Sequence, residues 1–550
     1  MSNRLVASAV LLLAGVFAAH GAGCSVIVDS KPAQCSTDGD CRSRGATFVD
    51  SFCGAGGTCV RSVDYCATNV QCIERLGNEA SICRKSDNTC VSLVTKQCKL
   101  LADKDDLRND ETVIIGSHGI PSWAVQTQAC EFALELVRRD FKSTQGGLPP
   151  SPTSGGNPRP VVFLSCDVPI GQQELHKVVS DHLFDNVKVP VSIGPFASID
   201  MTTYGVQKAI AAGATMLSVA EDQLAYQIPG RVGSVFFFGL PVGAIITGYA
   251  QGVNLIEPVI RAKVADAATR PLKIAFVYPS TGAADTEAQQ MFDQVRFNGG
   301  KSAMENGPTL YKEFQYTPPS ADPNFQEGFS NLSLTVKAYN PDIVILRGAD
   351  DVVALGKLIE SANPNKSYYL LAIEARGPVI SWVGTNEALR KRILGVRPGR
   401  YEQDPRVLRV NQRYLAAGFE AAPSPLMRAC IDMAYAALYA AGEVVDGPLT
   451  GKKVGQALLT KFTDNGTPVE ASPSSILRGE AAAQAQQELG FQGNESAVVW
   501  DKTTGVKTDW ELQYWCVDPD VNKPERLYDS GVTYNGRTKT ISGGTPDCKF

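Results

Sequence analysis

Cysteine is the residue type whose spacing carries the clearest chemistry in this 550-residue chain, which contains 15 Cys. A tandem repeat has the spacings C-x5-C-x11-C-x5-C and C-x5-C-x10-C-x6-C. Its members are Cys35, Cys41, Cys53, Cys59, Cys66, Cys72, Cys83 and Cys90. A copy of about thirty residues is too small to bury a sufficient apolar core, so cross-links are expected to stabilise it. The sequence therefore predicts two Cys-rich modules over residues 35–97.

The first residues of the chain have the pattern of an export signal. Arg4 precedes the uncharged apolar run Leu5–Ala19, which is short for a membrane span and typical of a signal sequence. The following Gly21-Ala22-Gly23-Cys24 resembles a bacterial lipoprotein box, with Gly21 where Leu is usual. We expect a signal peptide at 1–23, lipidation of Cys24 and a linker at 24–34; ordinary signal cleavage nearby is the alternative. Either places the chain in the cell envelope, at the periplasmic face or the outer membrane or surface.

Two chemistries compete for the repeated cysteines, namely disulfides and zinc binding. Zinc ligand pairs are usually separated by two to four residues, whereas five or more separate the pairs here, and no His is interleaved. Export to an oxidising compartment also favours disulfides. We expect disulfides within each copy, with the pairing left open. Of the remaining cysteines, Cys516 and Cys548 bracket the C-terminal tail and are expected to pair, while Cys98, Cys130, Cys166 and Cys430 keep an open connectivity.

Catalytic and nucleic-acid functions find little support in the composition. The chain has only 4 His and contains no G-x-S-x-G, H-E-x-x-H or P-loop motif. Its formal net charge of -5 offers no basic surplus for phosphates. We therefore expect no enzyme activity, no cofactor, no metal and no nucleic-acid partner.

From about residue 108 the pattern changes to apolar strands that alternate with helices. The predicted strands are Val113–Ile115, Val161–Leu164, Val189–Gly194 and Met216–Val219, then Lys273–Tyr278, Leu310–Tyr316, Asp342–Leu346 and Tyr368–Ile373. Such alternation indicates parallel sheets covered by helices. Two successive α/β units predict two lobes, whose strands end at a cleft that can hold a small molecule.

The segment from about 110 to 515 resembles type I periplasmic binding proteins of the branched-chain amino-acid binding family. The resemblance rests on Val191–Val219, Lys273–Gly282, Pro341–Gly348, Arg400–Phe419, Phe491–Gly493 and Val499–Asp501. It implies a two-lobed fold of two doubly wound parallel sheets joined by hinge crossovers. The expected division is 108–230 plus 400–485 for lobe 1, 231–399 plus 486–517 for lobe 2, and 518–550 as a C-terminal extension.

The resemblance also implies where a ligand is held. Ser198 occupies the hydroxyl position of the Gly-Pro-x-x-Ser turn, although it could instead only cap its helix. Ala220 matches the next ligand loop, whereas Asp222 replaces a hydroxyl residue and would suit a cation. Glu374 is the candidate for a ligand ammonium, or else a solvated loop charge. Trp123 could form an aromatic wall or pack in the core, and His118 is interpreted as structural.

Two functions remain open at this point. The first is a lipid-anchored receptor that captures an amino acid or similar polar ligand, with an ABC importer permease as a possible partner. The second is an outer-membrane or surface lipoprotein that uses the same fold for sensing or protein interaction. The family resemblance favours the first, and the Cys-rich modules favour the second.

Overall fold

A computed structural model describes most of the chain from residue 34 onward. The described residues are 34–45, 48, 51–54, 56–61, 65–119, 124–151, 155–168, 172–194, 199–219, 228–241, 243–280, 284–319, 324–348, 350–364, 366–372, 376–400, 404–419, 423–522, 526–546 and 548. Cys24 and the expected signal peptide lie outside them. Among the helices described, none combines the length and apolar character needed to cross a bilayer.

The described residues up to Val94, together with Leu107–Asp110, form a first unit built from two similar modules. Its helices are Asp38–Arg42 and Asn69–Arg75, and its strands are β1 (Ser51–Cys53), β2 (Cys59–Arg61), β3 (Ser81–Arg84) and β4 (Thr89–Ser92). Thr37 and Thr68 cap the two helices by accepting a backbone N–H. Each module is thus one capped helix followed by an antiparallel hairpin, β1–β2 or β3–β4.

Four disulfides stabilise this first unit. They are Cys35–Cys53, Cys41–Cys59, Cys66–Cys83 and Cys72–Cys90, so each module pairs its first cysteine with its third and its second with its fourth. The sulfurs of Cys35, Cys41 and Cys59 lie within 4.8 Å of one another, as metal ligands would. Each of them is already bonded to another sulfur, so no thiolate is available for zinc.

The second unit contains a six-stranded and an eight-stranded sheet. The first sheet has the order β10-β9-β8-β6-β7-β5, parallel except for the edge strand β5. Its strands are β5 (Cys98–Leu101), β6 (Val113–Gly119), β7 (Val161–Asp167), β8 (Val191–Ile193), β9 (Thr215–Ser218) and β10 (Val235–Phe237). Helices Ala124–Gln145, Gln173–Asp181, Ile199–Ala212, Pro425–Gly442, Gly451–Lys461 and Pro473–Gln484 belong to this lobe, with the parallel pair β18 (Phe462–Glu470) and β19 (Leu489–Gln492).

The second sheet has the order β14-β11-β15-β16-β17-β20-β21-β22. Its strands are β11 (Ile274–Pro279), β14 (Tyr311–Tyr316), β15 (Ile343–Leu346), β16 (Tyr368–Ala372), β17 (Ile393–Pro398), β20 (Glu511–Val517), β21 (Leu527–Asn535) and β22 (Thr540–Ser542). The described helices of this lobe are Ala244–Lys263, Ala284–Gln294, Ala303–Asn306, Phe325–Tyr339, Asp350–Ala362, Arg376–Val383 and Glu387–Arg390, with the small hairpin β12 (Arg296–Phe297) and β13 (Lys301–Ser302). The helix Pro405–Ala416 follows β17 in sequence but packs in the first lobe through Val410 and Tyr414. The five strands β14, β11, β15, β16 and β17 are parallel, whereas β20, β21 and β22 pair antiparallel. The expected α/β class with two largely parallel sheets is confirmed.

The strand pairing differs from the expected lobe boundaries at three places. β10 pairs with β9 in the first sheet, although a boundary after residue 230 assigned it to the second lobe. β19 pairs with β18, and Phe491 packs in the first lobe's core, although 486–517 was assigned to the second lobe. Residues after 517 are not a separate extension, because β21 and β22 continue the second sheet.

Three further disulfides lie in this second unit. Cys98–Cys166 joins the neighbouring strands β5 and β7, and Cys130–Cys430 joins helices that are 300 residues apart in sequence. Cys516–Cys548 attaches the end of the chain to β20.

Candidate functional site

The carboxyl ends of the parallel strands in the two sheets define the candidate site. In an open α/β sheet, ligands bind in the crevice beyond these ends because the connecting loops and helix N-termini meet there. The residues expected to contact a ligand follow such strand ends: Trp123 after β6, Ser198 after β8, Ala220 and Asp222 after β9, and Glu374 after β16. All five lie outside the described residues and stay predictions.

His118 is the next-to-last residue of β6 and is bound within the protein. Its side chain is 2% exposed, its Nδ1 lies 3.2 Å from Ser192 Oγ, and its Nε2 lies 3.4 Å from Ser180 Oγ. Burial, with a smaller contribution from His176, lowers the pKa of His118 well below its usual value. A neutral ring with both nitrogens in contact with serines holds β6, β8 and the helix Gln173–Asp181 together. These contacts agree with the interpretation of His118 as a structural residue.

Gly194 allows β8 to end close to β6. Its φ is +101°, and a Cβ atom there would lie 2.5 Å from the carbonyl oxygen of His118. Any side chain would therefore collide with backbone, and only glycine accepts this φ without strain.

Three crossovers connect the two sheets at their carboxyl edges. The first leaves the end of β10 toward the helix Ala244–Lys263, and the second leaves the end of β17 toward the helix Pro405–Ala416. The third leads from β19 to β20, whose first residues pair with the end of β17. The crossovers therefore border the same cleft that the strand ends define.

Buried hydrogen bonds connect these crossovers into one polar cluster, which we call the hinge cluster. Lys507 Nζ donates to the Phe238 carbonyl at 3.0 Å and to Ser496 Oγ, which links the first and third crossovers. The Gly399 N–H donates to the Glu511 carbonyl at 3.0 Å and links the second and third. Lys507 is only 5% exposed, so these bonds lie in the interior.

The helix Pro425–Gly442 contributes two charged residues to the hinge cluster. Asp432 accepts the backbone N–H groups of Asn494 at 2.7 Å and Glu495 at 3.0 Å. Arg428, 2% exposed, forms an ion pair with Glu495. The third crossover is therefore fixed to the first lobe by charge-assisted bonds at two successive residues.

Burial shifts both titratable groups at the centre of the hinge cluster toward their neutral forms. Burial raises the pKa of Asp432 to about 6, opposed by the hydrogen bonds it accepts. Burial also lowers the pKa of Lys507 to about 8, opposed by nearby carboxylates, Asp432 first. Desolvation outweighs attraction in both cases, as expected where water is excluded.

Arg400 places a further cation at the carboxyl end of β17. It is 6% exposed and donates Nη2 to Gln492 Oε1 at 3.3 Å. Its Nε has no hydrogen-bond partner among the described residues. Sequence reasoning missed Arg400, Asp432 and Lys507 as parts of the site, because a buried charged residue in a crossover or on a helix has the same sequence signature as a surface charge.

Comparisons with known proteins support the fold. No family model and no curated protein matches the chain. A solved ABC transporter substrate-binding protein from Aeropyrum pernix matches with a TM-score of 0.51 and 12% identity, covering 80% of this chain and 97% of that one. A leucine-binding protein, LivK, from Thermotoga maritima matches with a TM-score of 0.51 and 13% identity, covering 76% and 97%.

A third solved structure belongs to an ABC transporter substrate-binding protein from Desulfitobacterium hafniense. It matches with a TM-score of 0.50 and 13% identity, covering 76% of this chain and 99% of that one. At this identity the likeness concerns the fold. The chain thus has the type I periplasmic-binding-protein fold, preceded by a disulfide-rich segment.

Proposed function

We propose that this protein is an extracytoplasmic solute-binding protein that captures a small polar ligand, an amino acid or a similar compound, without catalysis. The observation that carries the proposal is the hinge cluster, where three crossovers connect the carboxyl edges of two open sheets. An open α/β sheet binds ligands at this edge, and a two-lobed protein can close on them by a hinge motion. The substrate-binding names of the solved neighbours support the same class.

The proposed ligand contacts are Trp123, Ser198, Ala220, Asp222 and Glu374. Two of these are acidic, so a ligand with an ammonium or another cationic group fits better than a simple carboxylate. Lipidation at Cys24 would hold the protein at a membrane, and an ABC importer permease is the proposed partner.

Thermal unfolding of the full chain with its disulfides intact tests this proposal. The panel contains amino acids, amides, polyamines and short carboxylates. A ligand that binds only the folded state stabilises it by ~2.7 kcal/mol at a hundred times its Kd, which raises the Tm. Asp222→Asn should abolish the shift caused by a cationic ligand. Glu327→Gln, at an exposed position on the helix Phe325–Tyr339, is the matched control. The absence of a shift across the panel contradicts solute binding.

The disulfide-rich modules favour a second candidate function, a surface lipoprotein that senses or binds another protein. Each module is cross-linked by two disulfides, and a rigid module of this kind suits a stalk or a contact surface. Membrane fractionation separates the two candidates. Enrichment in the inner membrane supports transport, and enrichment in the outer membrane supports the surface function.

A further inference from the structure

A cavity of about 270 Å³ lies in the first lobe, away from the candidate cleft. One wall is the helix Pro473–Gln484, and the other is the end of the helix Ala124–Gln145 with the loop that follows it. That second helix starts after the carboxyl end of β6 and finishes before the amino end of β7, where Leu148 and Arg159 form an antiparallel bridge. The cavity is therefore at the amino edge of the sheet, opposite the edge at which the proposed ligand binds.

Glu480 is the charged residue of this cavity. It is 2% exposed, and neither carboxyl oxygen has a hydrogen-bond partner among the described residues. Leu477, Ala481 and Gln484 line the cavity beside it, and their spacing of three and four residues places all of them on one helix face. A carboxyl group buried without a hydrogen-bond partner destabilises the folded state, and a donor brought into the cavity would relieve that cost.

Arg159, whose charge acts on Glu480, does not supply it with a hydrogen bond. Arg159, 4% exposed, donates its Nε to the Pro149 carbonyl at 2.8 Å. Its charge only partly offsets the burial that raises the pKa of Glu480 to about 8. A donor from outside the chain would remove the remaining penalty.

The rest of the lining indicates which donor would fit. Leu148, Pro149 and Pro158 form an apolar wall, and Leu477 is 59% exposed, so the cavity opens to solvent there. Calcium or magnesium would need several oxygen ligands, whereas Glu480 is the one carboxylate among the described lining residues. We propose that this cavity binds an alkylammonium cation, whose N–H groups donate to Glu480 and whose alkyl chain packs against Leu148 and Leu477.

Calorimetric titration of the full chain near pH 7 with butylammonium chloride, and separately with 1-butanol, tests this proposal. The two probes have nearly the same shape, so their difference isolates the charge. Butylammonium should bind the wild type and should bind Glu480→Gln at least tenfold more weakly. The control variant Glu488→Gln, at an exposed position in the same lobe, should bind butylammonium as the wild type does. The proposal is overturned if Glu480→Gln binds butylammonium as tightly as the wild type does, or if 1-butanol binds as tightly as butylammonium. It is also overturned if the wild type gives no heat of binding up to about 10 mM butylammonium.

A second measurement uses only the wild type and therefore does not depend on a variant that folds. A carboxyl group with a pKa of about 8 is mostly protonated near pH 7, so binding of the cation should release close to one proton. Titrations in two buffers of different ionisation heat count that proton. Binding without proton release overturns the assignment to Glu480. Asp222→Asn should leave this binding unchanged, which separates the result from the proposed function.

Discussion

Replacement of Lys507 by methionine should change how the stability of the protein depends on pH. The ammonium group of Lys507 is almost fully buried in the hinge cluster, and burial lowers its pKa from 10.5 to about 8. A tenfold change in a proton affinity corresponds to 1.4 kcal/mol, so the charged form destabilises the folded state by ~3 kcal/mol. The unfolded chain binds more protons between these two pKa values, and the stability contributed by this group therefore rises with pH.

The size of the effect follows from these two pKa values. Between about pH 7 and about pH 10 the wild type should gain about 2.5 kcal/mol relative to Lys507→Met. Near pH 7 the wild type and Lys507→Met should have similar free energies of unfolding. Methionine removes the cost of the buried charge, but it also leaves the Phe238 carbonyl and Ser496 Oγ without their donor, at roughly 1–3 kcal/mol each.

Urea unfolding of both full chains at several pH values measures this difference. At each pH, the free energy of unfolding of the variant is subtracted from that of the wild type. The difference no longer contains the contribution of any group whose titration the substitution leaves unchanged. Lys452→Met, at an exposed position in the helix Gly451–Lys461, controls for the loss of a lysine. Parallel pH profiles for the wild type and Lys507→Met would refute the conclusion that a desolvated ammonium lies in the hinge cluster.

Three other variants test neighbouring features. Burial raises the pKa of Asp432 from 3.8 to about 6, so the folded state loses ~3 kcal/mol as pH rises through this window, and Asp432→Asn should flatten that part of a urea-unfolding pH profile. Replacing both Cys130 and Cys430 by serine opens a loop of 300 residues; calorimetry should show a stability loss of ~3–5 kcal/mol. Gly399→Ala should lower the Tm by several degrees in a fluorescence melt, because φ is +95° and the added Cβ would lie 1.9 Å from Glu495 Oε2.

The sequence predicted the strands of the two sheets better than it predicted the boundaries between the two lobes. Continuous apolar runs such as Ile343–Leu346 are fully buried parallel strands, which is the pattern that the α/β class requires. β10 and β19 are only 3 and 4 residues long. Strands that short carry little periodicity, and the lobe to which each belongs is decided by its pairing with the preceding strand, Val235 with Met216 and Leu489 with Thr467. Pairing of this kind is not visible in a local pattern.

The candidate site was less predictable for a related reason. The ligand-contact predictions came from motif positions after strand ends, and a motif can be found locally. Asp432 and Lys507 instead acquire their environment because segments 62 to 269 residues apart meet in the hinge cluster. A single sequence does not show that a lysine lies where water is excluded, so their shifted pKa values follow only from the fold.

The hinge cluster also restricts how the two lobes can move. The closing motion that the proposed function requires would rotate backbone in all three crossovers, yet Lys507 links the first to the third and the Gly399 N–H links the second to the third. Breaking either link would leave buried polar groups without partners, at a cost comparable to the few kcal/mol that separate open and closed states in proteins of this kind. Closure should therefore pivot about these bonds and leave them intact. The rotation is then taken up by residues beside them, and because the bonds are present in both states, a substitution that removes one should destabilise the open and closed states alike and leave their ratio unchanged.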